Sequence, residues 1–402
     1  MLGSSTTWAQ IQESNLRRHI PVLANDSLMG RGTGSSGERM AASYIESQLR
    51  EINLAPKGDP DPAGHRDKTF FQSFPFKSGI HGSGKAGIGR NVIGFINNGA
   101  ENTIIIGAHY DHLGLGNDGN SLDANPQDKI HNGADDNASG VAGVIELARY
   151  FQNNKIREKN NFIFIFFSGE ELGLFGSKYF TQHPTIDSAH ANYMINLDMI
   201  GRLDPVTRSV TVSGTGTSPV WEATLKSIPS EPLIIKTDSA GMGPSDHASF
   251  YLKNIPALHF FTGSHSDYHK PSDDADKINY AGEVDVLNYI IRVIDRLNGT
   301  PRLTFLPTKN KSIGGSRSFK VTMGIMPNYT SGVEGLQVDG VSEGKPAQKA
   351  GVKTGDVIIQ MGDLAIKDIQ GYMDALGKFE KGQTVPVKVK RGNDVISLNV
   401  TF

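Results

Sequence analysis

The sequence predicts an α/β protein, with a doubly wound, mostly parallel sheet covered by helices on both faces, followed by a small β-rich domain. Three observations predict it. From Asn91 onward, short apolar runs alternate with amphipathic segments. Two of those runs, III at 104–106 and FIFIFF at 162–167, are apolar on both alternating faces, as in strands buried between helical layers. The length of 402 residues exceeds one ordinary core, since domains run to roughly 100–200 residues.

Taken in order, residues 11–54 read as helices around a Gly- and Ser-punctuated turn, with Ala42, Ile45 and Leu49 at helical spacing. A loop-rich stretch runs to about residue 90. The alternation then gives strands in NVIGFI and TIIIGAH, a helix over 139–151, a strand in NFIFIFF, and strands at 193–197 and 257–261. A helix at 284–297 closes the unit. Polar text rich in Pro, Gly, Lys and Ser over 301–318 reads as a linker between a domain at 1–300 and one at 319–402.

Composition excludes several functions. Forty Lys and Arg against 42 Asp and Glu leave a net charge of −2, which is no footprint for nucleic acid or an anionic membrane. No stretch approaches the ~18 apolar residues of a transmembrane segment. The opening residues lack the apolar core of a signal peptide, so the expected location is cytoplasmic, or periplasmic or secreted if a leader has been removed. With no Cys in the chain, any metal must be held by His, Asp or Glu.

Five acid or imidazole clusters fall where strands end, the edge at which open α/β sheets bind ligands. They are GAHYDH (107–112), NGADDNASG (132–140), SGEELGLFGS (168–177), NLDMIGR (196–202) and SDYHKPSDD (266–274). His109 and Asp111 lie on one face of an extended backbone, which lets Asp111 orient a metal-bound His109 from behind. Asp135 and Asp136 are adjacent carboxylates that repel unless a cation sits between them. Glu170 and Glu171 leave a buried strand in diverging directions, one suited to a metal and the other to a bound water. Asp198, at another strand end, wants a counter-ion. His265 and His269 compete for the last position, and spacing does not choose. Three carboxylates and two imidazoles balance two zinc ions and a hydroxide, whereas Mg²⁺ or Ca²⁺ prefers oxygen alone; Co²⁺ or Mn²⁺ are the expected substitutes for zinc.

These motifs, in this order over about residues 20–300, resemble the co-catalytic two-zinc aminopeptidases that include bacterial leucyl aminopeptidases, with glutamate carboxypeptidase and glutaminyl cyclase as distant relatives. The resemblance implies the zinc exopeptidase fold, with His109 and Asp198 on one zinc, Glu171 and His269 on the other, and Asp135 bridging both. It implies Glu170 as general base and Asp111 and Asp136 as supporting residues. It matches Tyr268 to a residue that, in some members, hydrogen-bonds the oxyanion. A cis peptide between Asp135 and Asp136 follows from the same likeness. SDHASF (245–250) matches a segment near the substrate pocket, with no role assigned to Asp246 or His247.

Residues 319–402 resemble a bacterial PDZ domain of the kind found in high-temperature-requirement proteases, through MGIMPNY, GLQVDGVSEGKPAQKAGVKTGDVIIQMGD and KGQTVPVKVKRGNDVISLNV. Met323, Gly324, Ile325 and Met326 would then form the carboxylate-binding loop and adjoining strand, receiving a C-terminal peptide by β-augmentation. The expected function is removal of N-terminal residues from peptides with a free N-terminus. The alternatives are a carboxypeptidase, amino-acid deacylase or glutaminyl cyclase on the same scaffold, or a catalytically silent peptide-binding protein.

Overall fold

The computed structural model describes residues 10–402, except 65–66, 78–84, 119, 122, 124, 264, 309–320, 328–333, 342–343 and 368. Helices α1 (Glu13–Leu23) and α2 (Ser36–Glu51) come first, then strands β1 (Ala55–Pro56), β2 (Phe71–Lys77), β3 (Ala86–Ile96) and β4 (Thr103–His109). Next are α3 (Gly140–Asn153), β5 (Asn161–Phe167), α4 (Phe175–Gln182), β6 (Ala191–Leu197) and β7 (Ser209–Ser213). The unit finishes with α5 (Trp221–Ser227), β8 (Ile234–Asp238), α6 (His247–Tyr251), β9 (Ala257–Phe261) and α7 (Tyr280–Leu297).

The strands form one sheet in the order β1-β3-β5-β4-β6-β9-β7-β8, with β2 hydrogen-bonded to β3. Its centre, β5-β4-β6-β9, is parallel throughout, as the apolar runs predict. Alternation along β5 explains the two-faced burial. Phe162, Phe164 and Phe166 join the core beneath α1, α2, α3 and α7, while Ile163, Ile165 and Phe167 pack with Phe180 of α4 and Phe250 of α6. Each such side chain contributes roughly 1.5–3 kcal/mol by leaving water. Because β4 lies between β5 and β6, chain order reverses there. The loops leaving their carboxyl ends therefore part and open a crevice.

The sequence expectation of a loop-rich stretch before residue 90 is corrected: β2 pairs antiparallel with β3 from Phe71↔Val92 to Lys77↔Ala86. Its Phe74 and Phe76 are buried while Ser73, Pro75 and Lys77 face water, an alternation that Pro and Gly nearby disguise. Residues 301–308, expected to open a linker, are instead tied to the first unit. Leu303 is buried and its N–H donates to Asn192, the Leu306 N–H donates to the carbonyl of Thr217, and the Thr308 N–H donates to the Tyr251 hydroxyl. Residues 301–308 thus belong to the first unit, and the rest of the expected linker lies outside the described residues.

The C-terminal unit has its own core, built around Met323, Val338, Ile358, Val387 and Val389. Strands β10 (Ile325–Pro327), β11 (Leu336–Val341), β12 (Val357–Met361), β13 (Leu364–Ala365), β14 (Thr384–Arg391) and β15 (Asp394–Thr401) pair antiparallel, with α8 (Pro346–Ala350) and α9 (Ile369–Leu376) between them. Among the described residues, β10 is hydrogen-bonded to β11 alone. The side chains of Met323 and Ile325 point into the core. No helix among the described residues is long and apolar enough to cross a membrane.

Candidate active site

Parallel strands deliver their carboxyl ends to one edge, so residues far apart in the chain meet there. His109 is the last residue of β4 and Asp198 the first after β6, with the Asp198 N–H tied to the carbonyl of Phe260 in β9. Glu170 and Glu171 occupy the turn after β5, whose positive-φ Gly169 and the bonds from Gly173 and Leu174 N–H to the Glu170 carbonyl close it. His269 comes from the loop after β9.

The centre of the cluster is Asp136. Its Oδ1 lies 3.3 Å from His109 Nε2, which is also 3.4 Å from Asp198 Oδ1. Its Oδ2 lies 3.3 Å from His269 Nε2, itself 3.3 Å from Glu171 Oε2. Each set therefore offers one imidazole nitrogen and two carboxylate oxygens, and the two sets share one carboxylate. Catalytic zinc sites keep three protein ligands and leave a position for water.

This placement corrects the sequence expectation for the adjacent aspartates. Asp135 points away from the cluster: its Oδ2 meets His265 Nε2 at 3.2 Å, and its Oδ1 accepts from Gly201 N–H and the Ser139 hydroxyl. Asp136, expected to support, takes the shared position. The cis peptide lies between Asp136 and Asn137, one bond later than expected. The physical reason is local. Asp273 Oδ2 accepts from both the Asp135 and Asp136 N–H groups, pinning the turn so that consecutive side chains project to opposite sides. Gly133 permits that turn, since at φ +55° an added Cβ would lie 2.1 Å from the Asp136 carbonyl oxygen.

Asp111 lies beside His109 and contacts it chiefly through its backbone. The His109 Nδ1 is 3.2 Å from the Asp111 backbone carbonyl and 3.8 Å from its carboxylate. The carboxylate instead accepts from the Thr33 hydroxyl and the Glu170 N–H, joining the base candidate to the strand end. Tyr268 stacks on His269, with ring centroids 3.9 Å apart. Burial and the surrounding carboxylates push its hydroxyl pKa well up, so it keeps its proton.

The neighbouring glutamates are driven in opposite directions. Burial holds the Glu170 carboxyl well above its ordinary range; His109 opposes this, while Glu171, Asp198 and Asp246 reinforce it. Burial acts against the Glu171 charge too, but His269 and hydrogen bonds from His112 and His269 bring it down to about 2. Divergent environments for paired carboxyls separate a proton carrier from a permanent anion. Burial also opposes charge on His109 and His269, yet the carboxylates facing them raise both well above the usual imidazole value. The cluster demands positive charge at the points where a divalent cation would supply it.

Several contributors carry no signal in spacing alone. His112, in the same GAHYDH motif as His109, places Nδ1 2.7 Å from Glu171 Oε1. Arg31, fully buried, donates to the carbonyls of Leu23, Tyr110, Asn132 and Gly133, lacing together the loops that carry the site. It enters through Gly30, where a Cβ would lie 2.4 Å from the Gly114 carbonyl oxygen. Burial draws the Arg31 guanidinium down to about 10, with Asp136 and Asp111 opposing, so it stays charged at neutral pH. Arg31→Met strands four acceptors at about 1–3 kcal/mol each where water cannot reach. A loss of at least about 3 kcal/mol is expected in urea unfolding, and an unshifted midpoint would contradict this role.

The profile of Peptidase family M28 matches residues 91–294, and that of the PDZ domain residues 318–402. Leupeptin-inactivating enzyme 1 of Streptomyces exfoliatus is 27% identical over 287 residues, covering 69% of this chain. The chain spans 55% of that relative's length. The LapA aminopeptidase of Legionella pneumophila overlays with a TM-score of 0.54 at 22% identity, covering 72% of both chains. A glutaminyl cyclase of Bacteroides thetaiotaomicron bound to N-acetylhistamine overlays at 0.56 and 19% identity, covering 72% of this chain and 99% of its own. At these identities the overlays establish a common fold.

Proposed function

The chain belongs to peptidase family M28, and from that premise we propose that it is an aminopeptidase using two zinc ions to remove N-terminal residues from peptides. The observation that carries the proposal is the division of Asp136, one oxygen facing His109 and Asp198, the other His269 and Glu171. Imidazole nitrogen combined with carboxylate oxygen fits zinc, with Co²⁺ or Mn²⁺ as substitutes, better than it fits Mg²⁺ or Ca²⁺. His109, Asp198 and one Asp136 oxygen would hold one ion; His269, Glu171 and the other oxygen the second. When bound, the metal supplies Lewis acidity, polarising the scissile carbonyl and lowering the pKa of water.

The remaining work falls to the side chains. Glu170 shares a ligand-sized cluster with His109 and Glu171 but has no place in either three-ligand set, and it keeps partial contact with solvent. As the base, it takes a proton from the attacking water and returns it to the nitrogen of the leaving amine. Tyr268, protonated beside His269, donates to the oxyanion as the carbonyl becomes tetrahedral. The carboxylates of Glu170 and Asp198 make the cleft acidic, which favours a free α-ammonium group over a blocked terminus. In the C-terminal unit, the backbone along 323–326 and the open side of β10 would receive an extended C-terminal peptide.

The test is one peptide prepared with its N-terminus free and acetylated, incubated with the zinc-loaded enzyme. Release of the first residue from the free form alone is expected. Equal cleavage of both would instead indicate a carboxypeptidase, and release of acetate from the acetylated form alone a deacylase.

A further inference from the structure

The two halves of the centre are held in different ways. His109 and Asp198 stand directly on the ends of β4 and β6, where sheet hydrogen bonds fix the backbone. Glu171 and His269 come from loops, and His269 adopts φ +54°, a left-handed conformation that costs a non-glycine residue roughly 1–2 kcal/mol. Something outside the sheet must hold these two in register.

We propose that Asn120 and His112 are positioning residues for the Glu171–His269 half, and that they set how tightly this half keeps its ion. The inference rests on the two-zinc reading above. Asn120 reaches both ligands. Its side-chain Nδ2 donates to the Glu171 backbone carbonyl at 3.0 Å, and its own carbonyl oxygen lies 2.8 Å from His269 Nδ1. Donation from Nδ1 fixes the imidazole tautomer and leaves the Nε2 lone pair facing Asp136 and Glu171. Ser121, next in the chain, donates its hydroxyl to the His269 carbonyl at 3.2 Å and sits 2.7 Å from His131 Nε2, extending the clasp.

His112 acts on the carboxylate itself. Its Nδ1, 2.7 Å from Glu171 Oε1, engages that oxygen, so Oε2 alone remains beside His269 Nε2. Glu171 therefore presents one oxygen to the cation, in a fixed direction. The ring of His112 also meets that of His269 edge-on, with centroids 5.9 Å apart. Neither Asn120 nor His112 bonds Asp198; His112 Nδ1 does approach the shared Asp136, at 3.9 Å, but on the Oδ2 that faces His269, and His109 takes its support from the Asp111 carbonyl instead. Loss of either residue should therefore weaken one ion and spare the other, which a general loss of structure would not do.

The test titrates the full chain, stripped of metal, with Zn²⁺ and with Co²⁺, following bound metal by elemental analysis and the Co²⁺ visible spectrum. The parent is expected to bind two ions. Asn120→Ala and His112→Ala should keep the first at parental affinity and bind the second about 10–100-fold more weakly, the range for residues that orient ligands. His112→Asn, whose amide nitrogen falls near the position of Nδ1, should recover most of the second ion's affinity. Circular dichroism reports whether each variant folds. The proposal is overturned if both alanine variants bind two ions as the parent does, if they lose both ions equally, or if His112→Asn matches His112→Ala. A parent that binds one ion only would sink the two-zinc reading itself, and this inference with it.

Discussion

Glu170→Gln is expected to lower kcat by ~10²–10⁴-fold while leaving metal content at the parental level. Glutamine matches glutamate in shape and keeps a hydrogen-bonding oxygen, but it cannot take up and return a proton. Glu170 contributes no oxygen to either three-ligand set, so neither ion loses a donor. Stability gives a second readout with a definite sign. In the metal-free chain Glu170 has a carboxyl pKa raised by burial, which means its ionised form costs folding energy at neutral pH. Removing that charge should leave the metal-free variant at least as stable as its parent. A slow enzyme that is stable and fully metallated identifies the proton carrier; parental turnover would rule Glu170 out.

Asp136→Ala should release both ions together, because a single side chain supplies one oxygen to each set. Each cation would be left with one carboxylate and one imidazole, and the affinity loss should exceed the 10–100-fold cost of a merely supporting residue. The informative partner is Asp135→Asn. Its Oδ1 contacts with Gly201 and Ser139 survive in the amide, while the charge facing His265 is lost. That variant should retain two ions and show its defect in unfolding, not in metal content. Elemental analysis of the pair distinguishes the two aspartates, and an Asp136→Ala protein still holding both ions would exclude it as the shared ligand.

Much of this architecture was legible because strands such as β4 and β5 are buried on both faces and cannot be mistaken for half-exposed ones. A parallel sheet then dictates that motifs following its strands share an edge, which brings His109, Glu171, Asp198 and His269 together across the chain. The choice between Asp135 and Asp136 was not legible. It depends on a turn pinned by Asp273, more than 130 residues away in sequence, and composition is blind to that contact. His112 was hidden for a related reason: it lies three residues from a stronger candidate and acts through Glu171, not on its own. Strand β8 escaped because it lies at the edge of the sheet, mostly exposed, where packing imposes little pattern; β7 alternates cleanly, with Val210 and Val212 buried, but over only five residues.

The stretch at 301–308 changes where this protein divides. It reads as spacer by composition, yet it straps down the outer rim of the first unit: Arg302 donates to the Ala191 carbonyl, Leu303 fills a buried niche, and Thr308 closes on Tyr251 and Gly241. A stop codon at residue 300 would strip these partners from Asn192 and Tyr251 and open an apolar seam beside β6 and α6. The excisable first unit therefore ends no earlier than Thr308, and a clone trimmed by composition alone would lose solubility for reasons unrelated to the missing C-terminal domain.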